Sequence, residues 1–285
     1  MKTIAIQGQA GSFHDEAAKQ LYGDESLSLS CTSFAELAEK VEGNDAEVGV
    51  MAIENSIAGT LLPNYNLIMS HGLNVIDEIY LQIDQNLMAL PGTSIDDLVE
   101  IQSHPIALLQ CQKYLRTQTT ATLVQSTDTA SSAKLIAQQG LVGVGAIASE
   151  HAAKRYGLEI LATGIQTIQQ NYTRFLVLSK KPGEHDPGQN KASICFRTSH
   201  ETGALGDVLG LISRANINLT KLQSIPIPES TWEYDFIADI EFPTLGVLDN
   251  IMLQLKEKTS QLTLLGSYRG GLHNQQQILK KQAQL

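Results

Sequence analysis

The chain has 285 residues, 42 % of them hydrophobic, and a formal net charge of −10. That length supports two or three domains with sizeable cores, and an acidic chain without any Lys/Arg-rich run is not a general nucleic-acid or anionic-membrane binder. An anionic small substrate stays open, because a cleft can be locally positive in an acidic protein.

The opening stretch MKTIAIQGQAGSF runs straight into a strand at residues 4–6 and the glycine turn Gly8-Gln-Ala-Gly11. It has none of the three parts of a signal peptide, and no apolar run approaches the roughly 20 residues of a membrane span. A cytoplasmic protein is the expectation. A helix through Ala17, Ala18 and Leu21 follows, and residues 48–53 form another buried run. This alternation predicts an α/β domain with a largely parallel sheet. Cys31, Cys111 and Cys195 are widely spaced, fit no metal-ligand pattern, and read as reduced thiols.

An internal similarity sharpens the picture. SFAELAEKVEGNDAEVGVMAI (33–53) and TDTASSAKLIAQQGLVGVGAI (127–147) have the same length and both end in Val-Gly-Val-x-Ala-Ile. Chance likeness between two α/β units is the alternative. A true repeat predicts two similar lobes with a ligand cleft between them.

Residues 180–191, KKPGEHDPGQNK, are polar, carry two Pro-Gly breaks, and read as a linker. Beyond them a strand is expected at 193–196. Leu205, Val208, Leu209 and Ile212 recur at helical spacing. Strands at 217–227 and 232–242, a helix at 245–256 and a strand at 262–268 complete a βαββαβ order, which predicts a ferredoxin-like module. The polar tail after Gly271 is expected to fray. The predicted organisation is an α/β domain at 1–180, a linker at 181–191, a small accessory domain at 192–270 and a tail at 271–285.

Four polar motifs are candidates for chemistry, and each has a plainer reading. Gly8-x-x-Gly11-Ser12 lies between strand and helix, where backbone N–H groups can hold an anion; a simple tight turn is the alternative. Glu54-Asn55-Ser56, with Gly59, follows a strand directly, at the edge where α/β sheets bind ligands; a helix cap fits equally well. Ser103-His104-Pro105, with Gln110 two turns on, reads first as capping. In QNYTRFLVLSKK, the residues Asn171, Tyr172, Thr173 and Arg174 lead into the apolar strand that begins at Phe175 and face a site; a polar strand end that reaches solvent is the alternative. Arg174 carries a planar fork suited to carboxylates. The Thr173 hydroxyl is too weak an acid to protonate a leaving group unaided.

Taken in order, Gly11-Ser12-Phe13 with Ala17-Ala18, Glu54-Asn55-Ser56-x-x-Gly59, Ser103-His104-Pro105 with Gln110, Ser126-Thr127, and Asn171-x-Thr173-Arg174-Phe175 resemble the prephenate dehydratase family. The resemblance covers Ile4 to about Lys180, and 193–268 resembles that family's ACT regulatory domain. It implies a two-lobed, periplasmic-binding-protein-like catalytic domain followed by a ferredoxin-like ACT domain. The implied reaction needs no cofactor and no metal: prephenate loses carbon dioxide and water to give phenylpyruvate, in phenylalanine biosynthesis. By the same resemblance the catalytic set is Thr173, Glu54, Asn55, Ser103 and Gln110. Substrate contacts are expected from Ser56, His104, Asn171, Arg174, Phe175, Gly11 and Ser12. L-Phenylalanine is the implied effector, held near Gly203, Ala204, Leu205, Gln223, Ser224 and Pro226, in a homodimer or homotetramer. Nucleic acid and membrane are not expected partners. The chain departs from the family at His14, where a serine is common, at Gly206 in place of an apolar residue, and at Ile225 in place of an arginine. No chorismate mutase segment precedes Met1, which points to a monofunctional chain. The competing readings are an arogenate dehydratase and a non-enzymatic two-lobed small-molecule sensor.

Overall fold

The structure is a computed structural model that describes residues 1–227 and 233–270. The expected tail at 271–285 and the start of the strand expected from Trp232 lie outside the described residues. In chain order the first elements are β1 (Thr3–Gln7), α1 (Phe13–Tyr22), β2 (Leu27–Cys31), α2 (Phe34–Glu42), β3 (Val48–Asn55), β4 (Gly59–Thr60), α3 (Leu62–Ser70) and β5 (Asn74–Gln82). Next come β6 (Asn86–Ala89), β7 (Glu100–Ser103), α4 (Pro105–Gln110), α5 (Gln112–Gln118), β8 (Thr122–Gln125), α6 (Thr129–Gln139), β9 (Val144–Ala148), α7 (Glu150–Tyr156), β10 (Glu159–Ala162) and β11 (Tyr172–Ser179). The last are β12 (Lys191–Arg197), α8 (Ala204–Arg214), β13 (Asn218–Pro226), β14 (Tyr234–Glu241), α9 (Leu245–Lys256) and β15 (Gln261–Tyr268).

Helix starts follow local chemistry. Ser12, Ser33, Asp128 and Ser149 each accept a backbone N–H three residues on, as N-caps of α1, α2, α6 and α7. Helices α6 and α7 stop at Gly140 and Gly157, both left-handed, where a side chain would strain the backbone.

The chain divides into two compact units, Met1–Asn64 with Tyr80–Phe175, and Tyr65–Ile79 with the chain from Leu176 onward. One sheet has the order β2-β1-β3-β11-β5, with β4 pairing β3. A second has the order β10-β6-β9-β7-β8. The parallel expectation holds for β1 with β2 and β3, and for β7 with β8 and β9. It fails at β6, which is antiparallel to both β9 and β10. β6 is the strand by which the chain enters the second sheet after β5, so no crossover helix sets its direction.

The two similar segments do form the same unit, helix, turn and strand: α2 with β3, and α6 with β9. Their shared Val-Gly-Val ending plays different parts. Val48 and Gly49 lie buried inside β3, whereas Val142 is 83 % exposed and Gly143 turns at φ +73 before β9 begins.

The last sheet has the order β13-β14-β12-β15 and is antiparallel throughout. With α8 and α9 packed over Ile194, Phe196, Ala238 and Ile240, it is the expected ferredoxin-like βαββαβ module.

Candidate active site

In the first unit, a cavity of about 290 Å³ is lined from both of its sheets. Its floor comes from the ends of β3 and β11. Successive residues of a strand face opposite sides, and β11 shows the consequence. Asn171, Thr173 and Phe175 line the cavity, while Arg174 does not; its guanidinium lies over the Tyr80 ring at 5.9 Å and is 4 % exposed.

Asn55, at the end of β3, organises the polar floor. Its Oδ1 accepts the N–H groups of Ile57 (3.0 Å) and Ala58 (2.9 Å), so its amide can face only one way. Its Nδ2 then donates to Asn171 Oδ1 (2.7 Å) and Thr173 Oγ1 (3.0 Å), with the Tyr172 carbonyl at 3.2 Å. Asn171 Nδ2 in turn donates to Gln110 Oε1 at 3.4 Å, which also receives Gln85 Nε2 at 3.4 Å. Polarity thus propagates from two backbone amides through three side-chain amides. Thr173 Oγ1 is an acceptor within this network, which leaves its own O–H available to donate.

Gly11, Glu54, Ser56, Ser103 and Arg174 are not among the described residues that line the cavity. The Gly11 N–H is taken by Asp15 Oδ2 at 2.7 Å. Burial alone would raise the Asp15 carboxyl, but hydrogen bonds from His151, Ser28 and Gly11 hold it at about 2. Ser103 Oγ is buried and donates to the Ile147 carbonyl at 2.6 Å. Ser56 Oγ receives the Tyr172 N–H at 2.9 Å and fixes the start of β11. The Glu54 backbone pairs with Thr60 across β3 and β4. Ser12 and His104 do line the cavity, and both are caps: Ser12 Oγ receives the Asp15 N–H, and His104 Nδ1 receives the Ile106 N–H at 3.2 Å.

Other lining residues lie outside the expected site set. Phe13, Phe34, Leu61 and Ile83 make most of the surface apolar, and Gln85 adds an amide whose buried Oε1 has no partner among the described residues. His14 lines the wall beside Phe175. Among the described lining residues there is no lysine or arginine. The polar groups that the lining can offer a negatively charged ligand are therefore the side-chain amides of Asn55, Gln85, Gln110 and Asn171. At the start of α6 the Asp128 carboxylate accepts the Ser131 N–H at 2.8 Å.

In the second unit, Gly203 caps α8 at φ +91 with Ala204 and Leu205 in the first turn. Along β13, Ser224 and Pro226 are exposed, Gln223 is half-buried and Ile225 is 3 % exposed.

The architecture and the polar floor define a two-lobed α/β protein with a small-molecule cavity that carries a ferredoxin-like module. The model of the family described as prephenate dehydratase matches residues 4–183. An Arabidopsis thaliana protein named arogenate dehydratase/prephenate dehydratase 2, chloroplastic, is 36 % identical over 280 residues, covering 93 % of this chain and 72 % of that one. A solved prephenate dehydratase in complex with L-Phe, from Arthrobacter aurescens, superposes with a TM-score of 0.83 at 25 % identity, covering 94 % of this chain and 90 % of that one. A structure described as a novel type of quorum quenching acylase superposes at 0.84 with 29 % identity, covering 95 % and 99 %. The chain belongs to the prephenate dehydratase family, and with it to the lyases. Among the described residues, no helix is long and apolar enough to cross a membrane.

Proposed function

We propose that this protein converts prephenate to phenylpyruvate by decarboxylating dehydration, with residues 1–180 catalytic, 181–191 a linker and 192–270 an ACT regulatory domain that answers to L-phenylalanine. The observation that carries the chemistry is the Asn55 to Thr173 hydrogen bond at 3.0 Å, which leaves the Thr173 O–H as a donor into the cavity. The carbon–carbon bond to the ring carboxylate breaks, and its electron pair flows into the ring. The para C–O bond breaks at the same time, and the departing hydroxide takes that bonding pair. One proton is consumed to complete the water. Aromatisation drives the reaction, so the site needs no strong nucleophile. Its work is to hold the substrate, to hydrogen-bond the departing oxygen through Thr173, and to keep water from the departing carboxylate.

Asn55, Asn171 and Gln110 hold Thr173 in place and offer further N–H groups. Glu54, Ser56, Ser103 and Gly11 support the floor from behind. Arg174 contributes positive charge from the opposite face of β11, and His104 and Ser12 present helix starts. The working form is a cytoplasmic homodimer or homotetramer.

Arogenate is the second reading, favoured by the name of the Arabidopsis relative. An acylase reading has less support. Both histidines of the lining accept backbone N–H groups, from Ala52 and Ile106, and among the described residues neither is hydrogen-bonded to a hydroxyl that it could activate.

The test is incubation of the purified protein with prephenate and, separately, with arogenate, without added metal or nucleotide. Phenylpyruvate from prephenate is the expected result. Turnover of neither substrate, or activity that vanishes on chelation and returns with a specific metal, overturns the reading.

A further inference from the structure

Resting on the dehydratase reading above, we propose that His14 determines substrate specificity: its Nδ1–H donates to the side-chain carbonyl of a keto-acid substrate, and so selects prephenate over arogenate.

His14 sits in the first turn of α1 and lines the cavity. Two sets of contacts fix its ring. Nε2 accepts the Ala52 N–H at 3.3 Å, from the neighbouring strand β3. The faces and edges pack on aromatic rings, Phe34 at 5.5 Å and 52°, and Phe175 at 4.9 Å and 84°. A ring nitrogen that accepts a hydrogen bond carries no proton, so the neutral ring must hold its proton on Nδ1. That N–H has no acceptor among the described residues. Burial pushes the His14 imidazole down to about 3, so it is a neutral donor rather than a cation throughout the physiological range.

The position suits the substrate's shape. Thr173 and Phe175 are alternate residues on one face of β11, about 7 Å apart by strand geometry. The substrate carries its leaving hydroxyl and its keto-bearing arm at opposite, para positions of the ring. With the hydroxyl at Thr173, the arm extends toward Phe175 and the histidine packed on it. A keto oxygen only accepts, which matches Nδ1–H. The ammonium of arogenate only donates, so it would set donor against donor. The carboxylate in the lining, Asp128, is committed to the start of α6.

The experiment measures kcat/KM for both substrates with the wild type, His14→Phe and His14→Gln. His14→Phe keeps an aromatic ring between Phe34 and Phe175 but removes the donor; His14→Gln restores one. Wild type is expected to prefer prephenate. The prephenate-to-arogenate ratio is expected to fall about 10- to 100-fold in His14→Phe, and to recover in part in His14→Gln. An unchanged ratio in a folded His14→Phe overturns the proposal while leaving the dehydratase reading intact; wild type inactive on both substrates overturns both. If His14→Phe does not fold, nitrogen-15 NMR of the wild type decides. A proton on Nδ1 whose resonance moves when phenylpyruvate binds supports the proposal, and an Nε2–H tautomer overturns it.

Discussion

A threonine hydroxyl ionises far above neutral pH, so Thr173 can act only where charge develops on its partner. In the proposed reaction the leaving oxygen is such a partner: neutral in the bound substrate, negative as it departs. Thr173→Val keeps the side-chain shape and the buried setting but removes the donor. The expected result is a fall in kcat of about 100-fold or more with a smaller change in KM, because the lost interaction strengthens in the transition state. Steady-state kinetics check this, and a near-normal kcat would leave Thr173 as a strand-start residue only. At this scale the structure brings Asn55, Gln110, Asn171, Thr173 and Phe175 of the expected set to one cavity, the amides and the hydroxyl at the ends of β3, α4 and β11 and Phe175 as part of its apolar wall. Arg174, expected as a substrate contact, does not line that cavity. The period-two alternation of β11 puts Arg174 on the face opposite Thr173, and that much was legible without a structure. Gln85 and His14 were not, because a site contact on a wall depends on which elements meet there.

The two helix-turn-strand segments show what pattern can and cannot carry between elements. Their shared length and apolar spacing correctly indicate equivalent units in two sheets. Their shared Val-Gly-Val does not, because one copy is inside a strand and the other is a turn. The need for glycine differs accordingly. At Gly143 the backbone demands it, with φ +73. At Gly49 the packing does: an added Cβ would meet Leu37 Cδ2 at 2.7 Å and Val41 Cγ2 at 2.8 Å, both on α2. Leu37 and Val41 are fully buried and have little room to yield. Gly49→Ala is therefore expected to cost about 1–3 kcal/mol by overpacking. The measurement is the thermal midpoint of the unit that contains it, against Gly206→Ala as control. Gly206 lies within α8, its Cβ would meet nothing within 4 Å, and alanine there is expected to add up to about 1 kcal/mol. A Gly49→Ala midpoint equal to that of the wild type would show that α2 gives way freely.

Across the whole molecule, the organisation rests partly on pairs that no local pattern reveals. Lys191 Nζ binds Glu78 Oε1 at 2.8 Å with both side chains buried, although 113 residues separate them. Beside that pair Ser193 Oγ bridges Asp239 at 2.5 Å and Tyr268 at 2.7 Å. Leaving one partner of such a pair unmatched costs far more than the pair contributes, so these residues bind Tyr65–Ile79 into the second unit. The βαββαβ order itself was legible, because its helices and strands alternate in period along 193–268. The regulatory role proposed for it is the last prediction. Phenylalanine inhibits only if it binds two states of the protein differently, by a free energy of typically about 1–3 kcal/mol. The departures from the family bear on this unequally. Ile225, standing where the family has arginine, is buried in the second unit and belongs to its core, whereas Ser224 and Pro226 beside it are exposed. The start of α8 keeps its glycine, and its first N–H groups can hold a carboxylate. Gly203 has open space around it, so a side chain there is opposed by the backbone at φ +91 and not by crowding. Gly203→Val should tilt the first turn of α8 and lose effector binding while the protein still turns over prephenate. Calorimetry with phenylalanine, alongside initial rates on wild type and variant, reads both quantities. Millimolar phenylalanine that neither binds nor slows the wild type would mean that the altered β13 segment has lost the effector site, and that the module serves packing alone.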